Sequence, residues 1–163
     1  MRIVMGLLRF AGILCTLAAP AYSQDGKIDI QKFNHSEWTK GIFSEVTTAT
    51  VGGTKLIWLA GVGAEDENGP RGKIRNPGDF IGQCQYAYDK IKRVLAMHGA
   101  QLSDVVKITT YMTDLRYRLE MGKCIGASWG GVTFPSHTLI GVASLAFPEM
   151  IVEVDATAVV RSK

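Results

Sequence analysis

Residues 78–114 read GDFIGQCQYAYDKIKRVLAMHGAQLSDVVKITTYMTD. Cys84, Ala87, Tyr88, Ile91, Val94 and Leu95 recur at the spacing that gathers apolar side chains on one helical face. Gln85, Asp89, Lys90, Lys92 and Arg93 take the other face. Asp79 suits an N-cap, because its carboxylate can accept from a free first-turn N–H. Gly99 suits the stop, because it turns left-handed without a Cβ penalty. Val105 to Met112 then supplies β-branched and aromatic strand formers. A long amphipathic helix leading through a short loop into a strand is half of a βαβ unit.

Upstream, Thr47–Val51 and Leu56–Ala60 are strand-like and flank Gly52-Gly53-Thr54-Lys55, the pattern of a hairpin. Residues 24–38 are polar and irregular and lead into the first strand. Residues 65–78, EDENGPRGKIRNPG, read as a solvated loop, locally basic through Arg71, Lys73 and Arg75. Gly61 and Gly63 end a strand, but a third glycine and an immediately following helix are missing, so they form no dinucleotide fingerprint.

Downstream, Leu115–Trp129 reads as a second helix, with Tyr117, Met121, Cys124, Ile125 and Ser128 on one face. Gly122 and Gly126 weaken it. A strand follows over 137–143. Residues 150–160 then alternate: Val152, Val154, Ala156 and Ala158 point one way, Glu153, Asp155 and Thr157 the other. The order β-β-β-α-β-α-β-β predicts an α+β domain, a mixed sheet with two helices on one face. The opposite face is mixed in polarity, which invites oligomerisation.

Residues 1–23 carry the marks of a signal peptide: Arg2 and Arg9, an apolar run over 10–19, and small residues at Ala21 and Ser23. The run is too short to span a bilayer. The expectation is cleavage near Ser23, a lead-in over 24–39, a single domain over 40–163, and a periplasmic or secreted product with no further membrane segment. Without residues 1–23 the chain holds 16 basic residues against 15 acidic. That balance gives no electrostatic case for nucleic acid or an anionic membrane. Cys84 and Cys124 would then remain. Export permits a bridge between them if their helices lie side by side; otherwise they are two buried thiols. No CxxC, HExxH or Cys/His cluster is present, so neither metal nor cofactor is expected.

Several segments, in order and spacing, resemble the RidA/YjgF family, also known as L-PSP endoribonuclease-like or imine deaminase proteins. They are Phe43-Ser44, Leu59-Ala60-Gly61, Gln83, the run 99–107 (GAQLSDVVK), 111–114 (YMTD), Phe134-Pro135, 142–145 (VASL) and 151–156 (IVEVDA). The resemblance covers residues 40–160. It implies a chorismate-mutase-like fold, assembled as a homotrimer with a small-molecule cleft between subunits. In the deaminase branch an Arg after the Phe-Pro segment holds the carboxylate of a 2-imino acid. A carboxylate in the last strand positions the water that attacks the imine carbon. Ammonia and a ketoacid result.

Carried over residue by residue, the resemblance implies that Glu153 is the last-strand glutamate. The Arg position holds His137, which cannot make the bidentate fork; this places the chain with the Arg-lacking branches. Phe43 takes an aromatic position that is often Tyr. Ser44, Gly61 and Tyr111 are further cleft candidates, and Glu120 lands near a helix Asn of the family. His35 and His98 read as surface residues. Three functions follow. The first is a cleft that binds a small metabolite and hydrolyses an imine or enamine, with His137 and Glu153 as its acid/base pair. The second is a non-catalytic binding module of the same fold. The third is an L-PSP-type endoribonuclease, which the charge balance and the expected export disfavour.

Overall fold

The computed structural model of the protein describes residues 26–162; the expected signal peptide over 1–23 lies outside them. The chain runs β1 (Asp29–Phe33), β2 (Val46–Val51), β3 (Thr54–Val62), α1 (Phe80–Met97), β4 (Val105–Met112), α2 (Arg118–Trp129), β5 (Ser136–Gly141) and β6 (Val152–Arg161). The element order is the one the sequence predicts. All six strands form one sheet in the order β1-β2-β3-β6-β4-β5. Every neighbouring pair is antiparallel except β4 and β5. β6 therefore lies between β3 and β4 and pairs with both.

α1 starts where Asp79 accepts from the Gly82 N–H at 3.0 Å. It ends at His98, and Gly99 follows with φ +76°. Its six expected apolar residues are all buried, and it packs on α2, β3 and β6. Gly52 and Gly53, with φ +55° and +77°, make the two-residue turn between β2 and β3. That double left-handed turn matches the twist of paired strands and suits glycine. In α2, Met121, Cys124, Ile125 and Trp129 face the core.

Cys84 and Cys124 are joined in a disulfide that ties α1 to α2, with their Cα atoms 6.4 Å apart. The cysteines lie one on each apolar stripe, so packing the helices face to face brings them together. No helix among the described residues is long and apolar enough to cross a membrane.

Three expectations change. β1 lies inside the polar stretch 24–38 rather than after it. It is an edge strand whose side chains are nearly all exposed, so it carries no periodic apolar signal. The 65–78 segment is folded rather than a solvated loop. Glu65 and Asp66 are buried, Glu65 bridges Ile74, and Ile74 packs with Ala64 and Met150. Asp66 meets Arg75 at 3.1 Å and Lys73 at 3.6 Å. Finally, Lys90 is buried, not on the solvated face of α1: its Nζ lies 2.8 Å from the Glu65 carbonyl and 3.3 Å from the Glu65 carboxylate.

Candidate functional site

The last strand turns Glu153 out of the core because residues alternate along it: Val152 and Val154 are fully buried under the helices, so Glu153 points to the opposite, open face. The β3–β6 ladder slips between Leu59 and Val62, a bulge that brings Gly61 against that glutamate. A Cβ on Gly61 would lie 1.8 Å from the Glu153 carboxylate. Glycine is needed there for the close approach, and it frees the space in which the carboxyl sits.

A cleft of about 210 Å³ opens over this point. Its walls include Trp38, Phe43, Phe147 and Arg71, with Gly61, Glu65 and Glu153 below. It continues into a crevice where Lys90 and Glu45 join the lining. Phe43 and Phe147 each stand nearly perpendicular to Trp38, at 69° and 78°, with ring centroids 6.0 Å away. Phe43, Gly61 and Glu153, three of the expected residues, thus meet in one place.

The electrostatics of the cleft centre on Glu153. Burial, then the nearby charges of Glu65 and Asp155, push its carboxyl up to about 7, while Lys90 pulls the other way. Glu45 behaves differently. Burial raises its carboxyl, but the Ser36 N–H and hydroxyl, the His35 N–H and the Thr39 hydroxyl all donate to it and leave it below the usual range. Tyr111 lies beside Glu153 in register on the open face and donates to Asp155 at 2.9 Å.

The other expected residues are elsewhere. His137 pairs with Ile108, which is buried under the helices, so it faces the helix side of the sheet. Its Nε2 is 3.0 Å from the Thr110 hydroxyl, in a recess with Gly122, Ile125 and Phe134. Burial and the Lys107 charge lower its pKa. Within one chain, therefore, His137 and Glu153 are on opposite faces and form no acid/base pair. Glu120 belongs to the first turn of α2, among Asp114, Arg116 and Tyr117, away from the cleft. The helix residues that reach the adjoining crevice are Lys90 and Val94 of α1. Ser44 is half-buried beside Phe43 and does not line the cleft. His98 is buried, not a surface residue, and its Nε2 is 3.1 Å from that of His35. Burial, then His35 and Lys55, lower its pKa. Among the described residues no three His, Cys, Asp or Glu side chains are grouped to hold a metal ion.

Trp38, Phe147, Arg71, Glu65 and Lys90 escaped the sequence reading. Two signals were there. Trp38 is a large aromatic in an otherwise polar stretch, and Phe147 sits in a loop between two strands, where it packs at one edge on the small cluster of Ala64, Ile74 and Met150. Lys90 stands three residues after Ala87 and four before Val94, on the flank of the apolar stripe.

A six-stranded mixed sheet with a helix pair on one face and an aromatic-walled cleft on the other is a chorismate-mutase-like α+β protein. Residues 40–160 match the endoribonuclease L-PSP family, and the chain belongs to that family, the RidA/YjgF proteins. It resembles the crystal structure of Rv2704 from Mycobacterium tuberculosis, a YjgF/YER057c/UK114 family member, with 25% identity and a TM-score of 0.64 over 81% of this chain and 100% of that one. RidA from an Antarctic Psychrobacter shares the fold at 22% identity and a TM-score of 0.65, covering 80% and 99%. A RutC family protein of Pyrococcus abyssi is 31% identical over 81 residues, 50% of this chain. The chain spans 62% of the length of that curated relative.

Proposed function

We propose that the chain binds a small imine or enamine metabolite in the cleft over Gly61 and hydrolyses it to a carbonyl compound and ammonia. The observation that carries this is the Glu153 carboxyl, held in the cleft with a pKa of about 7, where one group can both give and take a proton at neutral pH. Protonated Glu153 donates to the imine nitrogen. The carboxylate then takes a proton from the water whose oxygen bonds to the imine carbon. Glu153 passes that proton to the amine nitrogen of the carbinolamine and takes the hydroxyl proton as the C–N bond breaks, so that ammonia leaves, a carbonyl forms and one water is consumed. The open sheet face supports a homotrimeric assembly, in which His137, on the edge strand β5, would act from a neighbouring copy across that edge. The pattern of residues 1–23 and the disulfide support export to an oxidising compartment.

The test is ammonia release from freshly generated 2-iminopropanoate by the purified protein, with Glu153→Gln and His137→Arg alongside. Glu153→Gln should fall by about a hundredfold or more. Release that is indifferent to Glu153 overturns the reading. A second reading, a binding module without turnover, is favoured by one residue: His137 cannot supply the guanidinium fork. Silence from wild type and both variants would favour it. An RNA phosphodiester suits this cleft poorly, because Glu45, Glu65 and Glu153 line it.

A further inference from the structure

The walls of the cleft say what charge its ligand carries. Trp38, Phe43 and Phe147 set three ring planes around one small space, two of them almost at right angles to the third. The three aromatic side chains line one cleft, and aromatic faces attract cations. Carboxylates lie beneath them. Glu65 is already matched by Lys90 at 3.3 Å. Glu153 has no such partner: the charged and titratable groups around it are Glu65, Asp155, Tyr111, Lys90 and, at the mouth, Arg71. Arg71 is exposed on its loop, whereas Glu153 is at the floor. The deep end of the cleft therefore offers an acid and π-faces.

We propose that the cleft is an aromatic cage for a small organic cation, an alkylammonium or protonated imine, held among Trp38, Phe43 and Phe147 with Glu153 as its counter-charge. This rests on the same cleft being the binding site and names the class of ligand it takes. The cleft, of about 210 Å³, has room for a group of that size. The bulge at Gly61 leaves the space in which the carboxylate stands in the same cleft as the rings. A cation bound there favours the ionised form of Glu153, so affinity should rise with pH across the range in which that group loses its proton.

Three isosteric probes test this on the wild-type protein: choline, the neutral 3,3-dimethylbutan-1-ol, and the anion 3,3-dimethylbutanoate, titrated by calorimetry at pH 5.5 and pH 8. Choline should bind about tenfold tighter than the alcohol at pH 8, with the advantage shrinking at pH 5.5. Trp38→Leu should erase the preference, and Glu153→Gln should erase its pH dependence. Equal binding of choline and the alcohol, tighter binding of the anion, or no binding of choline overturns the proposal. Because no turnover is read, ammonia release from 2-iminopropanoate without choline binding would sink the cage and leave the hydrolytic reading standing.

Discussion

Glu153 and Gly61 act as a pair, and each predicts something different. The Glu153 carboxyl titrates at about 7 in the folded chain against 4.5 in its ordinary state. The folded state therefore holds a proton that the unfolded state has lost between those values, and the contribution of Glu153 to stability falls as pH rises through that window. Glu153→Gln should raise stability at pH 8 by about 1 to 2 kcal/mol, after discounting for partial exposure, and change it little at pH 4. Urea unfolding at the two pH values measures this. For Gly61, an added methyl would occupy the place of the Glu153 carboxylate. Gly61→Ala should displace that flexible side chain, lowering ammonia release by about tenfold or more while costing the fold only about 1 kcal/mol. A variant that keeps full activity would show that the contact with Gly61 does not position the acid. Lys90 and Glu65 illustrate why single residues mislead in a sequence. Each is charged and reads as solvent-facing, yet they bury one another across 25 positions, a pairing that no local pattern encodes.

At the scale of elements, the disulfide between α1 and α2 has the clearest consequence. It closes a loop of 40 residues in the unfolded chain, a constraint worth about 3 to 4 kcal/mol by loop-closure entropy. Cys84 and Cys124 are almost wholly buried, so reductant should act only where the chain opens. Dithiothreitol should leave the folded protein unchanged without denaturant and lower its urea midpoint; the double variant Cys84→Ala with Cys124→Ala should show the same loss. An unchanged midpoint would mean that the bridge adds nothing. The elements themselves were largely legible. The 3.6-residue spacing of α1, the Gly52-Gly53 turn and the alternation of β6 each reflect burial on one side, and burial writes itself into the sequence as periodicity. β1 was not legible, because an exposed edge strand has no buried face to mark it. The cysteine pair was half legible: the stripes were visible, but the axial register between two helices is not a property of either one.

At the scale of the whole molecule, the separation of His137 from Glu153 is a matter of parity. Two residues on different strands share a face only through the register of pairing, and that register is set by tertiary contacts the sequence does not spell out. It also points outward. Ile140 of β5, Trp58 of β3 and Val159 of β6 lie on the open face and are each more than a third exposed, and no helix among the described residues covers that face. Apolar surface gathered in this way marks an association site. The chain should sediment at three times the mass of one copy, and Ile140→Asp should dissociate it. A wild-type protein that sediments as a single copy would remove the trimer, and with it any role for His137 in the cleft of a neighbour.

β6 sets the order in which this architecture can come into being. It is the last of the described strands, yet it is the seam along which β1–β3 and β4–β5 are joined. Until Val152–Arg161 has been synthesised, each half of the sheet presents a bare edge and Glu153 has no cleft to occupy. The helices and the hairpin can form early, but they have nothing to close upon. Closure of this sheet therefore waits until β6 has been made, and a ribosome stalled before Val152 would hold two half-sheets open to pairing with the wrong partner.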